Sequence, residues 1–430
     1  MRKILILITI INFAYASSIK DILHSIDSSP KVKSAISLSK AAYENYLATL
    51  SNKMPKIDLS YTLSYLKEYP IIKMKLPHTP PINARVGLKK HFVAEATIAY
   101  PIFSGFAITS LIDKANFKRY EAELRVKDLK RNLYLKAIET YSNIEAIDNQ
   151  IIALKKAKDA FESGYKKAKG LYDSGLLSKS ELFRVKASLY GVKANITKLY
   201  RQKSSLLNLL SYLTGKKITN VYGKLHIKTI PKLNVLLSKA YRNRSDLLAI
   251  KMQIKEKNSD IRLAKSQNYP QINAFASLKR EADNFELTKN DYSNLDKSYV
   301  GVQVKWNIFN GGKTKHQIEA AKYVKLSKSL EYQDYKHLIK MQISNAKNEL
   351  DSLYAMLKEA KLHLKAEQSY YILSRGRFEN GLISADQFSN AVASWSDAKA
   401  NYHIILSKIF TQKAKLWLLT GLDSFKEAIK

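Results

Sequence analysis

Apolar and polar residues keep two different periods along this chain, and the changes of period mark where strands give way to helices. Residues 56–65 alternate without a break, with Ile57, Leu59, Tyr61, Leu63 and Tyr65 set between Lys56, Asp58, Ser60, Thr62 and Ser64. A period of two puts an apolar row and a polar row on opposite faces of a strand. The pattern returns in Phe92, Ala94, Ala96, Ile98 and Tyr100, and again in Val300, Val302, Val304, Trp306 and Ile308; residues 271–279 carry it more weakly. The expected strands cover about 55–68, 91–103, 270–281 and 298–309. A strand of about ten residues suits a tilted crossing of an outer membrane, apolar row to lipid and polar row to a wet lumen. It suits a half-buried strand of a soluble sheet as well. Four strands cannot close a membrane barrel, and open edges in lipid leave backbone groups unpaired, so in the membrane reading several chains share one barrel.

Between the strand pairs the period lengthens. Leu133, Ala137, Tyr141, Ile144, Ile147, Ile151 and Leu154 step by three and four, as do Ile339, Ile343, Ala346, Leu350, Leu353, Leu357 and Ala360. That is a coiled-coil seam with polar flanks, fitting a helix wet on two sides. No proline falls between 102 and 230 or after 270, so nothing interrupts a helix there. Long helices are expected over about 108–172 and 314–378, each some 65 residues or roughly 100 Å, with returning helices over about 180–213 and 386–419.

The two sets of elements are copies. Tyr100 to Gly105 (YPIFSG) matches Trp306 to Gly311 (WNIFNG), Gly175-Leu176-Leu177-Ser178 matches Gly381-Leu382-Ile383-Ser384, and Leu213-Thr214-Gly215 matches Leu419-Thr420-Gly421, all displaced by 206 residues. Upstream the displacement is 215, pairing Pro55-Lys56-Ile57 with Pro270-Gln271-Ile272. The difference falls in the loop between two strands. The chain therefore divides into a leader over 1–16, a first repeat over 17–225 and a second over 226–430. Gly105, and Gly311 with Gly312, mark the strand-to-helix turns. At each tip, Gly ends the long helix, two aliphatics stand at the turn, and Ser caps the next helix.

Composition narrows the function. Arg2 and Lys3 precede the apolar run Ile4 to Phe13 and the small-x-small site Ala14-Tyr15-Ala16, the form of a secretory signal peptide. The run is too short to span a bilayer. The 430 residues include no cysteine, which excludes disulfides, thiolate chemistry and an acylated N-terminal cysteine. Net charge is +35, but the lysines are spread thinly and an exported chain rarely meets nucleic acid, so no nucleic-acid partner is expected. Loop 69–91 is basic, suited to lipid phosphates, whereas loop 281–297 is mostly acidic. The eight histidines have no paired spacing, so no metal is expected. Gly311-Gly312-Lys313-Thr314 lacks the full phosphate-loop spacing. No constellation suggests catalysis; neither enzyme activity nor a cofactor is expected.

The duplicated halves, the strand exits YPIFSG and WNIFNGGK, the entry NRSDLLAIKMQIKEKNSDIRLAKSQNYPQI at 243–272 and the G-L-[LI]-S tips carry a resemblance. Over essentially its whole mature length the chain resembles the TolC-type outer membrane efflux proteins. The resemblance implies a mainly α fold with a small β membrane part, assembled as a homotrimer. Each protomer would lend four strands to a twelve-stranded outer-membrane β-barrel and long coiled helices to a periplasmic α-barrel. It implies an exit duct of tripartite efflux, or of type I protein secretion, working with a periplasmic adaptor and an inner-membrane pump of RND or ABC type. A soluble exported coiled-coil scaffold is the alternative from another class, though it has no need of four alternating strands. The tips, Gly175 to Ser178 and Gly381 to Ser384, would meet the adaptor. Gate candidates are Tyr172 and Glu181 at the first tip and Phe378, Asp386 and Gln387 at the second. Relatives often hold Tyr and an acid where Phe378 and Gln387 stand, so this second tip has lost a hydroxyl and a charge.

Overall fold

The computed structural model describes residues 16–87, 89–223, 225–283, 290 and 294–429. The expected leader lies outside them except for Ala16, as do Glu286 and Asp291 of the acidic loop. In chain order the first half runs β1 (Ala16–Ser18), α1 (Ile19–Asp27), α2 (Pro30–Leu50), β2 (Lys56–Tyr65), β3 (Ile71–Met74), β4 (Ile82–Arg85), β5 (Lys90–Phe103), α3 (Ala107–Asp173), α4 (Lys179–Thr214) and β6 (Asn220–Tyr222). The second half runs α5 (Leu233–Asn243), α6 (Ser245–Lys265), β7 (Gln271–Ala282), β8 (Asn294–Asp296), β9 (Tyr299–Lys305), α7 (Lys313–Glu379), α8 (Ala385–Leu419) and α9 (Leu422–Ala428). The starts of α3 and α7, and of α4 and α8, are 206 residues apart, and those of α2 and α6, and of β2 and β7, are 215 apart. The molecule is mostly helical.

The compact units do not follow the sequence halves, because each draws on both. Among the described residues, one comprises those within 16–39, 122–249 and 332–429, and the other those within 40–121 and 250–331.

The second of these carries the large sheet, with β2, β5, β7 and β9 antiparallel in chain order and β8 on the far end of β7. The register lines up the alternating residues across all four strands. Leu59 pairs with Ala96 and Ala96 with Leu278; Ile98 pairs with Ala276 and Ala276 with Val300. Paired residues share a face, so one face is apolar apart from Arg280, which stands in line with Ala94 and Tyr61, and its β2 and β9 side chains are exposed in the single chain. The other face carries Asp58, Ser60 and Thr62, Glu95 and Thr97, Ser277 and Lys279, and Gln303. There Ser277 donates to Glu95 at 2.7 Å. The weak alternation of 271–279 has a local cause: Phe275 sits on the polar face and fills the space above its partner Gly301, where a Cβ would lie 2.8 Å from the ring. The strand expected to reach residue 309 stops at Lys305. Its partner β7 begins at Gln271, opposite Lys305, so Trp306 to Phe309 have no strand to pair with within the chain. Within one chain, β2 and β9 are both open edges.

The first unit is helical around three apolar clusters. One gathers α1, the middle of α3, the end of α4 and the C-terminal segment; a second gathers α5, α7 and α8. Most of the expected seam is buried, from Leu133 to Ile144 with Ile151 and from Ile339 to Leu353 with Ala360, while Ile147, Leu154 and Leu357 are only partly buried. Gly215, just past α4, has φ +69°, and a Cβ there would lie 2.7 Å from Pro30 Cδ. The end of α4 therefore abuts the start of α2, where a proline needs no N–H partner.

Candidate functional site: the paired helix tips

The long helices end in the same way. Gly175 and Gly381 both have φ +72°, a left-handed conformation that costs an L-residue about 1–2 kcal/mol and glycine nothing. This lets Leu176 N–H reach Leu171 C=O at 2.8 Å, and Leu382 N–H reach Arg377 C=O at 2.8 Å, which satisfies carbonyls that a helix end leaves orphaned. Ser178 then accepts from Glu181 N–H and Ser384 from Gln387 N–H, each at 3.2 Å. At the second tip Gln387 returns the contact, accepting from Ser384 N–H at 3.1 Å, a full capping box. An amide serves that box as well as a carboxylate does, so Gln387 is spent on holding the turn.

The two aliphatics of each tip, both expected at the surface, have separate fates. Leu176 and Leu382 are 76% and 74% exposed. Leu177 and Ile383 instead pack against a third cluster, built from all four hairpin helices: Phe161 on α3, Val185 and Leu189 on α4, Phe378 on α7, Phe388 and Val392 on α8. They occupy the residue before each N-cap, the staple position, and pack with Leu182 and Phe388 four residues inside. Phe378, expected to face the entrance, is only 3% exposed. Its ring stacks on Phe388 at 4.6 Å, and Phe161 meets Phe388 edge-on at 6.3 Å. Gly164 makes the room, since a Cβ there would lie 2.5 Å from Phe388 Cε1. A phenylalanine suits that dry position, where a tyrosine hydroxyl would need a partner.

Of the other gate candidates, Tyr172 is at the surface and Glu181 holds its cap. Asp386 lies 3.6 Å from Arg184 of α4, linking the second tip to the first. Both side chains are well exposed, so the pair holds weakly and yields to salt. Gly105, Gly311 and Gly312 lie in the other unit. All three have positive φ, at the turns that send β5 into α3 and the chain after β9 into α7.

One constellation was not legible as a site. Arg244, the residue between α5 and α6, is fully buried and donates to Asp246 through Nη2 at 2.7 Å and to Gln342 at 3.0 Å. Asp246 also accepts from Arg131 at 3.2 Å and from the Tyr335 hydroxyl at 2.8 Å. Burial by itself would raise the Asp246 carboxyl, but the bonds and charge of Arg244, the charge of Arg131 and the Tyr335 hydroxyl outweigh it and hold it below its ordinary value. One carboxylate thus ties α3, α6 and α7 together. The phrase Arg244-Ser245-Asp246 was its only trace in the sequence.

The fold is shared with solved structures. CusC superposes with a TM-score of 0.80 at 13% identity, over 95% of this chain and 93% of that one. The outer membrane protein VceC of Vibrio cholerae gives 0.77 at 14%, over 94% and 96%. The outer membrane channel CmeC of Campylobacter jejuni gives 0.77 at 15%, over 96% and 86%. At such identities the likeness is one of fold. No curated protein matches the chain by sequence. The outer membrane efflux protein model matches it twice, over residues 24–216 and 236–422. With most of the chain covered by those two matches, it belongs to the outer membrane efflux protein family, a family of outer-membrane channels rather than enzymes.

Proposed function

We propose that the chain is the exit duct of a tripartite efflux system, conducting cargo passively from a periplasmic adaptor and an inner-membrane pump of RND or ABC type to the exterior. One observation carries the reading: an antiparallel sheet of β2, β5, β7 and β9 with one face apolar except at Arg280, the other mostly polar, and both edges open. Among the described residues no helix is long and apolar enough to cross a membrane; in this reading the strands make the crossing. Open edges are not tolerated in lipid. Three chains in a ring would pair each β9 with the next β2 and give twelve strands, with the apolar face to outer-membrane lipid and the polar face to the lumen. The helices then lie in the periplasm and the tips form the entrance. There Leu176 and Leu382 are the exposed apolar side chains an adaptor would cover, while the phenylalanine cluster holds the two hairpins of a protomer together and the exposed Arg184–Asp386 pair adds little. Docking would favour an open arrangement by binding it more tightly.

Single-channel recording of the purified assembly in planar bilayers tests this. The expected result is a conducting pore with weak divalent block, because Gln387 is neutral and Asp386 already faces Arg184. Absence of conductance contradicts the duct. Strong divalent block that survives Asp386→Asn contradicts this account of the entrance.

A further inference from the structure

The strand-forming segments β3 and β4, at the end of the sheet away from the helices, make a hairpin that the duct does not require. Its register pairs Ile71 with Arg85, Ile72 with Ala84, Lys73 with Asn83 and Met74 with Ile82. Since paired residues share a face and neighbours alternate, Ile72, Ala84, Met74 and Ile82 form one face. Ile71, Arg85, Lys73 and Asn83 form the other. The apolar face is uncovered: Ile72, Met74 and Ile82 are 49%, 47% and 48% exposed, and Leu76 and Val86 beside them are exposed too. The surrounding segment, 65–91, carries Lys67, Lys73, Lys75, Arg85, Lys89 and Lys90 against the single acid Glu68. Among the described residues none of these six cations is in an ion pair.

The hairpin is tied to the sheet. Leu66 N–H donates to Lys89 C=O at 2.8 Å and Val86 N–H to Pro70 C=O at 3.0 Å, carrying the β2–β5 ladder onward. Arg85 lies 4.7 Å from the Tyr69 ring centre, and Lys89 lies 5.2 Å and 5.4 Å from those of Tyr65 and Tyr69. Pro77, Pro80 and Pro81 restrict its turn. This is a pre-formed two-faced element, continuous with the sheet and with Tyr65 and Tyr69 at its base, the residue type favoured at membrane–water interfaces.

We propose that the β3–β4 hairpin lies in the outer leaflet and binds phosphorylated glycolipid headgroups, its apolar face among the acyl ends and its cations on the phosphates. The proposal rests on the outer-membrane reading. Charge selects this occupant: a second copy of the hairpin would bring the same excess of cations, whereas phosphate monoesters supply the missing anions. The lipid chains supply what the exposed Ile72, Met74 and Ile82 lack.

The test uses the full-length assembly in detergent, with lipid A as probe and native mass spectrometry as readout. The wild-type chain is expected to retain bisphosphorylated lipid A at least about tenfold better than its dephosphorylated form, with inorganic phosphate failing to displace it. In Lys73→Gln/Lys75→Gln/Arg85→Gln the preference disappears. In Ile72→Ser/Met74→Ser both forms are lost. Conductance and subunit number stay as in the wild type throughout. Equal retention of the two lipids, a preference that survives the triple substitution, or displacement by free phosphate overturns the proposal. So does loss of assembly in the triple variant, which would make the hairpin a subunit contact. A pore that conducts normally but shows no lipid preference sinks this inference and leaves the duct standing.

Discussion

Gly381→Trp is expected to reduce export to the level of cells lacking the gene while leaving assembly and conductance unchanged. A Cβ on Gly381 meets nothing within 4 Å, and the same holds at Gly175. A bulky side chain therefore projects into open space, and its only folding cost is the left-handed backbone, about 1–2 kcal/mol at a helix end where fraying is already cheap. Export fails because that open space, beside the exposed Leu382, is where the adaptor would seat. Gly175→Trp should behave alike at the first tip. The measurements are complementation in the deletion strain, alongside subunit number and single-channel current of the purified variant. Full complementation by both variants contradicts adaptor docking at the tips. A variant that fails to assemble would show that the glycine conformation serves folding, and Leu382→Ser, which leaves the backbone alone, then separates the two roles.

Asp246→Asn is expected to destabilise the helical unit by about 3–5 kcal/mol, the usual cost of removing one partner of a buried, hydrogen-bonded ion pair. The substitution keeps the shape and removes the charge, leaving Arg244 and Arg131 near a neutral amide. Its pH signature distinguishes it from a packing defect. The folded-state carboxyl is held below its unfolded value of about 3.8. Its contribution is therefore complete above that pH and is lost as pH falls through the folded value. The gap between wild type and variant, followed by circular dichroism in denaturant, should be constant from neutrality to about pH 5 and narrow in stronger acid. A gap that widens on acidification would mean that Asp246 is not the group being titrated.

Much of the architecture was legible because periodicity reports which residues share a face. The strict alternation of Lys56–Tyr65 needed only one apolar face, and the structure has one. The helix ends at both tips were legible because Gly, then Ser, has a local reason to be there. What failed were features set by a distant partner. Strand β9 ends where β7 begins, a fact of pairing absent from its own alternation. Phe275 breaks its row because Gly301 lies opposite. Phe378 looked like a gate residue from its place before Gly381, but whether it faces water depends on Gly164 and Phe161 of the other hairpin. Gln387 is neutral, and it also caps its own helix with Ser384, a local contact that the S-x-x-Q spacing already carries. The hairpin at Ile71–Arg85 escapes the pattern because Ile71 and Ile72 stand side by side and prolines and lysines crowd its turn.

If this chain is a duct, copies of it close the open sheet. Engineered cysteines test it cleanly because the chain has none of its own. Leu59→Cys on β2 is combined in turn with Val300→Cys, Val302→Cys or Val304→Cys on β9, and each pair is oxidised in native outer membranes. At one of these registers a ladder of one, two and three covalently joined chains is expected, with the closed trimer as the largest species. Membrane-inserted chains that stay monomeric at every register, or a ladder running past three, would contradict it.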